Sequence, residues 1–278
     1  MECRLLLVNT IMMKPLKKIV KKVFNAFGFE IHRKGLIRTN MAEALEHLKR
    51  LGFRPETVID LGVANGTFEL YKAFPDAIHL LIEPIQEFEK SLKDIARKYK
   101  TEYVIAAAAD KSGTVTINVH PLLFTSSIFK DSEGIHVDGT PREVPAVIID
   151  DLCKERGLKG PYLIKADVHG AELLVLEGAK KVLEDTEIVI LETHLFQFFI
   201  DGPQFFDIVN YMKHHGFCVY DIFGQHYRPL DGALGSVDLV FAKENGQFRK
   251  SHFYATRTQR DELTHQILSR RDSWMTSK

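Results

Sequence analysis

The sequence predicts an α/β protein built on a doubly wound, mostly parallel sheet with one reversed edge strand. Three observations carry this expectation. Short apolar runs alternate with helical patterns through the middle of the chain. The run TVIDLG, 57–62, ends in an acidic residue and opens into a turn carrying Gly62 and Gly66, the form taken where a strand bends into a helix beside a ligand. The last two apolar runs, 216–223 and 236–243, are joined by a loop too short for a crossover helix and so pair antiparallel.

The elements follow in order. Thr39 or Asn40 caps a helix running to about Leu51, with Glu43 placed for a capping box and Gly52 ending it. Strands come next at 57–62, 78–83 and 102–109, with a helix from about Gln86 to Tyr99 between the last two. After a turn at 111–113, TVTINVH (114–120) reads as part of an inserted hairpin. Strands at 162–168 and 187–194 flank a helix from about Ala171 to Leu183. The pattern shows no internal repeat and no low-complexity tract.

The turn after the first strand separates two nucleotide readings. A dinucleotide fingerprint reads GxGxxG, whereas this turn reads Asp60-x-Gly62-x-x-x-Gly66, with Ala64 at the middle position. An oxidoreductase reading fails on that difference. A carboxylate at the strand end repels a pyrophosphate and attracts a cation, and S-adenosylmethionine carries an ammonium as well as a ribose. Glu83, which closes the run HLLIEP, lies 23 positions after Asp60, close to the interval of about 20 residues at which a second-strand carboxylate meets ribose hydroxyls.

Composition bounds the class. A chain of 278 residues suits one large α/β domain with appendages, here a basic arm over 1–36, a main domain over 37–248 and a basic tail over 249–278. Cys3, Cys153 and Cys218 are odd in number and widely spaced, which indicates neither a disulfide framework nor a thiolate zinc site and fits a reducing cytoplasm. No apolar run approaches the roughly 20 residues that span a bilayer. The lysines follow the opening LLLVNTIMM instead of preceding it, the wrong order for a secretory signal, and the patterned sequence begins only at Lys14, so Met12 or Met13 is an alternative start.

Net charge is zero but unevenly spread. Residues 1–34 hold eight Lys or Arg against Glu2 and Glu30, and 249–278 hold seven against Asp261, Glu262 and Asp272, so the body between is acidic. Leu16, Ile19, Val20, Val23 and Phe27 recur at helical spacing opposite Lys14, Lys17, Lys18, Lys21 and Lys22. Such a helix either lies on an anionic membrane surface, which makes the protein peripheral at the inner face, or packs its apolar stripe onto the domain. Nucleic acid is disfavoured: Arg257, Arg260, Arg270 and Arg271 accompany Tyr254 and Trp274 in the tail, but the acidic body repels phosphate.

From about Arg54 to Lys243 the chain resembles the FkbM-type methyltransferases. The matching pieces are VIDLGVANGT, LIEP, AAAADKSGTVT, Ser126 with Ser127, VIIDDL around Asp150, KADVHGAELLVLEGA, and VILETH followed by FDIVNYMKHHGF. The resemblance implies a Rossmann-like class I methyltransferase fold with a mostly parallel seven-stranded sheet and an antiparallel edge hairpin. It also implies S-adenosylmethionine as cofactor and methylation of a hydroxyl on a glycan, lipid-linked sugar or secondary metabolite. By that analogy Asp60, Gly62 and Gly66 line the methionine end, Glu83 holds the ribose, and the turn from Ala108 to Asp110 flanks the adenine, with Asn65 and Pro84 among the contacting positions. The family commonly has its Ala-Asn pair directly after the first motif glycine, whereas here Val63 intervenes before Ala64 and Asn65, and it commonly has Glu where this chain has His169.

Methyl transfer to a hydroxyl needs alignment and profits from a base. KADVHGAE lies at the carboxyl end of a central strand, where such sheets keep their ligands. Lys165, Asp167 and His169 share a side if the strand stays extended, with Asp167 the leading polar candidate and His169 a candidate base. Their structural alternatives are a Lys165 pair with Asp167 or Glu192, and a helix cap by His169. Glu192 and His194 close the neighbouring strand, and with Asp167 they form a carboxylate and imidazole set; no HExxH-like spacing supports a metal, and none is expected. Phe196, Phe198, Phe199, Phe205 and Phe206 form either an acceptor lid or core. The rival to an enzyme is a non-catalytic scaffold that keeps the fold and binds an anionic partner through the basic ends.

Overall fold

The computed structural model describes residues 20, 22–24, 26–27, 38–134, 137 and 139–275, with side chains through 269. The basic segment 14–27 lies mostly outside the described residues. Of its apolar positions, Val20, Val23, Phe24 and Phe27 are described and exposed.

The chain enters the domain through α1 (Met41–Arg50). Asn40 is the N-cap and its side chain accepts from Glu43 N, while the Glu43 carboxylate reaches back to Thr39 N at 2.9 Å, one residue earlier than a simple capping box. Then come β1 (Thr57–Leu61), α2 (Phe68–Ala73), β2 (Ile78–Glu83), a 3-10 turn Gln86–Phe88, α3 (Glu89–Ala96) and β3 (Thr101–Ile105). A small insert follows, made of β4 (Ala107–Ala108), β5 (Gly113–Val119) and β6 (Thr140–Val147). The second half contains α4 (Ile149–Glu155), β7 (Tyr162–Ala166), α5 (Glu172–Glu177), α6 (Lys180–Glu184), β8 (Thr186–His194), α7 (Phe205–His214), β9 (Phe217–Tyr227) and β10 (Leu234–Lys243). The helix α8 (Arg257–Met275) follows, and its Leu263, Ile267 and Leu268 are exposed.

Seven strands form the main sheet in the order β3-β2-β1-β7-β8-β10-β9, parallel except for β10, which runs antiparallel to both β8 and β9. The central strands read as continuous apolar runs because both of their faces are buried. Ile59 and Leu61 of β1, Ile164 of β7 and Val189 of β8 meet α4 to α7 through Leu152, Val175, Val182 and Met212. On the opposite face Val58, Leu163 and Ile190 meet α1 to α3 through Leu45, Leu48, Leu70, Tyr71 and Ile95. Sequence order reverses between β1 and β7, so the crevice above their carboxyl ends is where such a sheet receives a ligand.

Three expected elements are corrected. The strand at 102–109 is broken: the main sheet ends at Ile105, and Ala107–Ala108 leaves it to pair with β6 in a second sheet ordered β4-β6-β5. The partner of TVTINVH is β6, which its two prolines concealed. Pro141 and Pro145 both lie on the stretch of β6 before its short pairing with β4, where one edge of the strand needs no ladder donor. The helix at 171–183 is two helices that part at Gly178, where the chain passes so close to the carbonyl oxygen of Ala109 that a Cβ would overlap it. Asp150 then starts α6 afresh, accepting from Lys181 N and Val182 N, the latter at 2.9 Å.

Candidate active site at the carboxyl edge of the sheet

Asp60 closes β1 as expected but does not face the crevice. Its carboxylate is fully buried, accepting the Tyr71 hydroxyl at 2.6 Å and the Thr67 hydroxyl at 3.1 Å, with Lys165 Nζ at 3.7 Å. Burial raises its pKa against the pull of Lys165 and of both hydroxyls. The residue anchors the first turn of α2, which corrects the expectation of a direct cofactor contact.

Glu83, at the end of β2, does reach the crevice. Its two oxygens accept from Ala64 N and Ile85 N, both at 2.8 Å, so the carboxylate is clamped in one orientation. Burial pushes its pKa up, and the two backbone donors oppose that shift. Gly62, Ala64, Glu83, Pro84, Ile85 and Phe88 line one side of a cavity of about 220 Å³, and Asp167, His169 and Glu192 line the other. The remaining cofactor candidates lie off this lining. Asn65 accepts from Ser91 at 3.1 Å, Gly66 packs against Ile95 and Phe68, Ala108 belongs to the small sheet, and the Asp110 carboxylate points outward near Lys111.

The strand-end candidates from β7 and β8 do converge. Lys165 is buried, with Nζ 3.6 Å from Asp167 Oδ2 and 3.4 Å from the Gly62 carbonyl it donates to. Burial opposes its charge, but Asp167, Asp60, Asp238 and Glu192 outweigh burial and hold the ammonium above the ordinary lysine value. The strand does not stay extended, as the shared-side argument required. His169 takes a left-handed φ of 51°, and that turn brings its Nδ1 to 3.9 Å from Asp167 Oδ1. Burial lowers the pKa of His169 against the attraction of Asp167. Glu192 accepts the Ser236 hydroxyl at 3.0 Å and lies 3.9 Å from His194 Nε2; burial and the Asp167 charge push its carboxyl upward. Burial takes His194 down to about 4. Sequence reasoning missed Asp238, whose carboxyl burial and Asp167 raise to about 7. The available signal was an acid inside the apolar run SVDLVF.

A second cavity of about 300 Å³ adjoins the first, and Ser127 and His169 line both. Asn118, His120, Thr125 and Glu133 give it polar groups, while Phe129, Phe198 and Phe199 give it aromatic walls. The two loops that close it are tied together. Ser132 N donates to the Phe198 carbonyl and Ile200 N to the Lys130 carbonyl, each at 2.8 Å. The aromatic residues therefore divide: Phe198 and Phe199 cover the cavity and pack edge-on against His194, Phe196 lies under the Arg228 guanidinium, and Phe205 joins the core. The serine pair divides as well. Ser126 donates to the Leu123 carbonyl within its own turn, whereas Ser127 donates to the His169 carbonyl at 2.6 Å.

The lining suits the cofactor that the sequence suggested. Ile85, Phe88, Ile117 and Ile128 offer apolar walls for an aromatic base, and the fixed Glu83 carboxylate keeps lone pairs for a diol. Among the described residues no Lys or Arg lines this cavity to balance a pyrophosphate.

Strand order and site position define a Rossmann-like fold of the class I methyltransferase type. Residues 60–219 match the model of the methyltransferase FkbM domain, and the chain belongs to that family. No curated protein matches the chain. Among solved structures it is similar to magnesium protoporphyrin IX methyltransferase from Synechocystis PCC 6803, determined with SAM bound, at 13% identity, covering 82% of this chain and 96% of that one, with a TM-score of 0.39. It is also similar to precorrin-6y C5,15-methyltransferase from Geobacter metallireducens GS-15, at 11% identity, 77% and 93% coverage and a TM-score of 0.39. A third is 1,6-didemethyltoxoflavin-N1-methyltransferase from Burkholderia thailandensis, at 9% identity, 73% and 76% coverage and a TM-score of 0.40. The assignment rests on the family match and the strand order. Among the described residues no helix is long and apolar enough to cross a membrane.

Proposed function

We propose that the protein is an S-adenosylmethionine-dependent O-methyltransferase whose acceptor is a hydroxyl on a glycan, lipid-linked sugar or secondary metabolite. The observation that carries this reading is the junction of two cavities at Ser127 and His169. One presents a clamped carboxylate beside apolar walls, and the other presents polar side chains between aromatic rings. The second lining fits a polyol, which hydrogen-bonds through its hydroxyls and packs its C–H faces on rings.

S-adenosylmethionine, when bound, supplies a methyl group on a sulfonium that is already activated for displacement. Glu83 would hold its ribose hydroxyls, with Gly62 and Ala64 along the adjoining backbone. The chain's own work is then positional. Ser127 fixes the turn that aims His169 at the boundary, the tied loops exclude water from it, and the carboxylate and imidazole groups gathered there receive the acceptor's proton.

Calorimetric titration with S-adenosylhomocysteine tests the reading. Glu83→Gln is the matched variant, because it keeps an acceptor for one of the two backbone donors. We expect micromolar binding to the native protein and a loss of about tenfold, roughly 1.4 kcal/mol, in the variant. Absence of binding to the native protein would overturn the enzyme reading in favour of the scaffold.

A further inference from the structure

We propose that Asp167, His169 and Glu192 form a binding site for one divalent cation of the manganese type. One ligand atom from each residue lies within 4.8 Å of the other two. The three arrive from independent backbone positions: the residue after β7 closes, the left-handed turn beyond it, and the end of β8.

Each side chain has one part engaged elsewhere. Asp167 Oδ2 faces Lys165, while its Oδ1 is buried and accepts no hydrogen bond. That oxygen lies 3.9 Å from His169 Nδ1, too long for a hydrogen bond and within the span of two ligands held at about 2.1 Å from one ion. Glu192 Oε1 is occupied by the Ser236 hydroxyl, an outer partner of the kind metal ligands use, and Ser127 donates to the main-chain carbonyl of His169. Asp167 and Glu192 meet with Asp60 and Asp238 around one ammonium, Lys165. Two carboxylates and one imidazole suit Mn²⁺, since Ca²⁺ demands 6–8 oxygens and structural Zn²⁺ favours thiolates.

All three residues line the 220 Å³ cavity, so the ion's remaining positions open towards the junction. What the ion does there rests on the methyltransferase reading: it would bind the acceptor oxygen and lower the pKa of the hydroxyl, whose proton passes to bulk solvent before methyl transfer. Ion binding itself does not depend on that reading.

The test is Mn²⁺ titration of the full chain after chelator treatment, followed by the electron paramagnetic resonance signal of free Mn²⁺. S-adenosylhomocysteine binding is measured on the same samples. We expect one ion per chain with a Kd of about 100 µM or tighter, weakened at least about tenfold in Glu192→Gln and in Asp167→Asn. Selective paramagnetic broadening of the His169 ring resonances in the native protein checks the site should either variant fail to fold. Equal Mn²⁺ affinity in native and variant proteins, or broadening confined to other histidines, would overturn the site. So would loss of S-adenosylhomocysteine binding in both variants without any Mn²⁺ binding, which would assign the carboxylates to the cofactor's ammonium. Mn²⁺ binding without S-adenosylhomocysteine binding would keep the site and sink the methyltransferase reading instead.

Discussion

The carbonyl oxygen of Asp167 occupies the space that a Cβ on Gly62 would need. The first motif glycine therefore serves the approach of two loops, the one leaving β1 and the one leaving β7, and Asp167 N completes the contact by donating to the Leu61 carbonyl at 3.2 Å. This approach places Asp167 over the crevice, so the glycine acts on the site through its neighbour strand.

Gly62→Ala should destabilise the fold by on the order of 2 to 5 kcal/mol, combining overlap with the left-handed φ of 70°. Gly52→Ala is the control, because its φ is also positive at 90° while nothing lies within 4 Å of the added carbon. A loss of about 1 to 2 kcal/mol is expected there. Urea denaturation of both variants decides the matter, and equal losses would show that φ alone explains the glycine.

Much of this arrangement was legible in the sequence, for a physical reason. Strands buried on both faces must be apolar throughout, so VID, LLI, YLI and IVIL announced β1, β2, β7 and β8, and their carboxyl ends announced Glu83, Asp167 and Glu192. What escaped the reading depended on contacts made across the chain. Asp60 looks like a ligand-facing carboxylate until Tyr71 and Thr67 are seen to take both of its oxygens. TPREVPAV looks like a loop until its ladder with Gly113–Val119 is seen. His169 reads as a candidate base, but the left-handed turn that brings it to Asp167 is tied to Ser127, 42 residues away.

Ser127→Ala tests that last dependence. The hydroxyl donates to the His169 carbonyl and accepts from Phe129 N at 3.0 Å, so its removal takes two hydrogen bonds from a half-enclosed site. A stability loss of about 1 to 3 kcal/mol is expected. The His169 ring resonances should also broaden or shift while those of His79, buried far from the junction against Phe74, stay in place. Unchanged His169 resonances would mean that the turn holds itself.

Glu172 gives the fold a pH dependence of predictable sign. It is fully buried at the start of α5, with Oε1 accepting from Gly170 N at 3.2 Å and Oε2 without a partner, and burial raises its pKa from 4.5 to about 7. Below the unfolded value both states are protonated and the residue contributes nothing to the balance. Between that value and about 7 the folded state binds more protons, so stability falls as pH rises, and the full penalty of about 3 kcal/mol applies above pH 7. Glu172→Gln keeps an acceptor for Gly170 N and cannot ionise. The stability of the native protein minus that of the variant should therefore decline by about 3 kcal/mol between pH 4.5 and 8. A constant offset from the amide's own hydrogen bonding cancels in this difference. Denaturation curves at pH 4.5, 5, 6, 7 and 8 measure it, and parallel pH profiles for the two proteins would show that burial leaves the carboxyl's pKa where it stands in the unfolded chain.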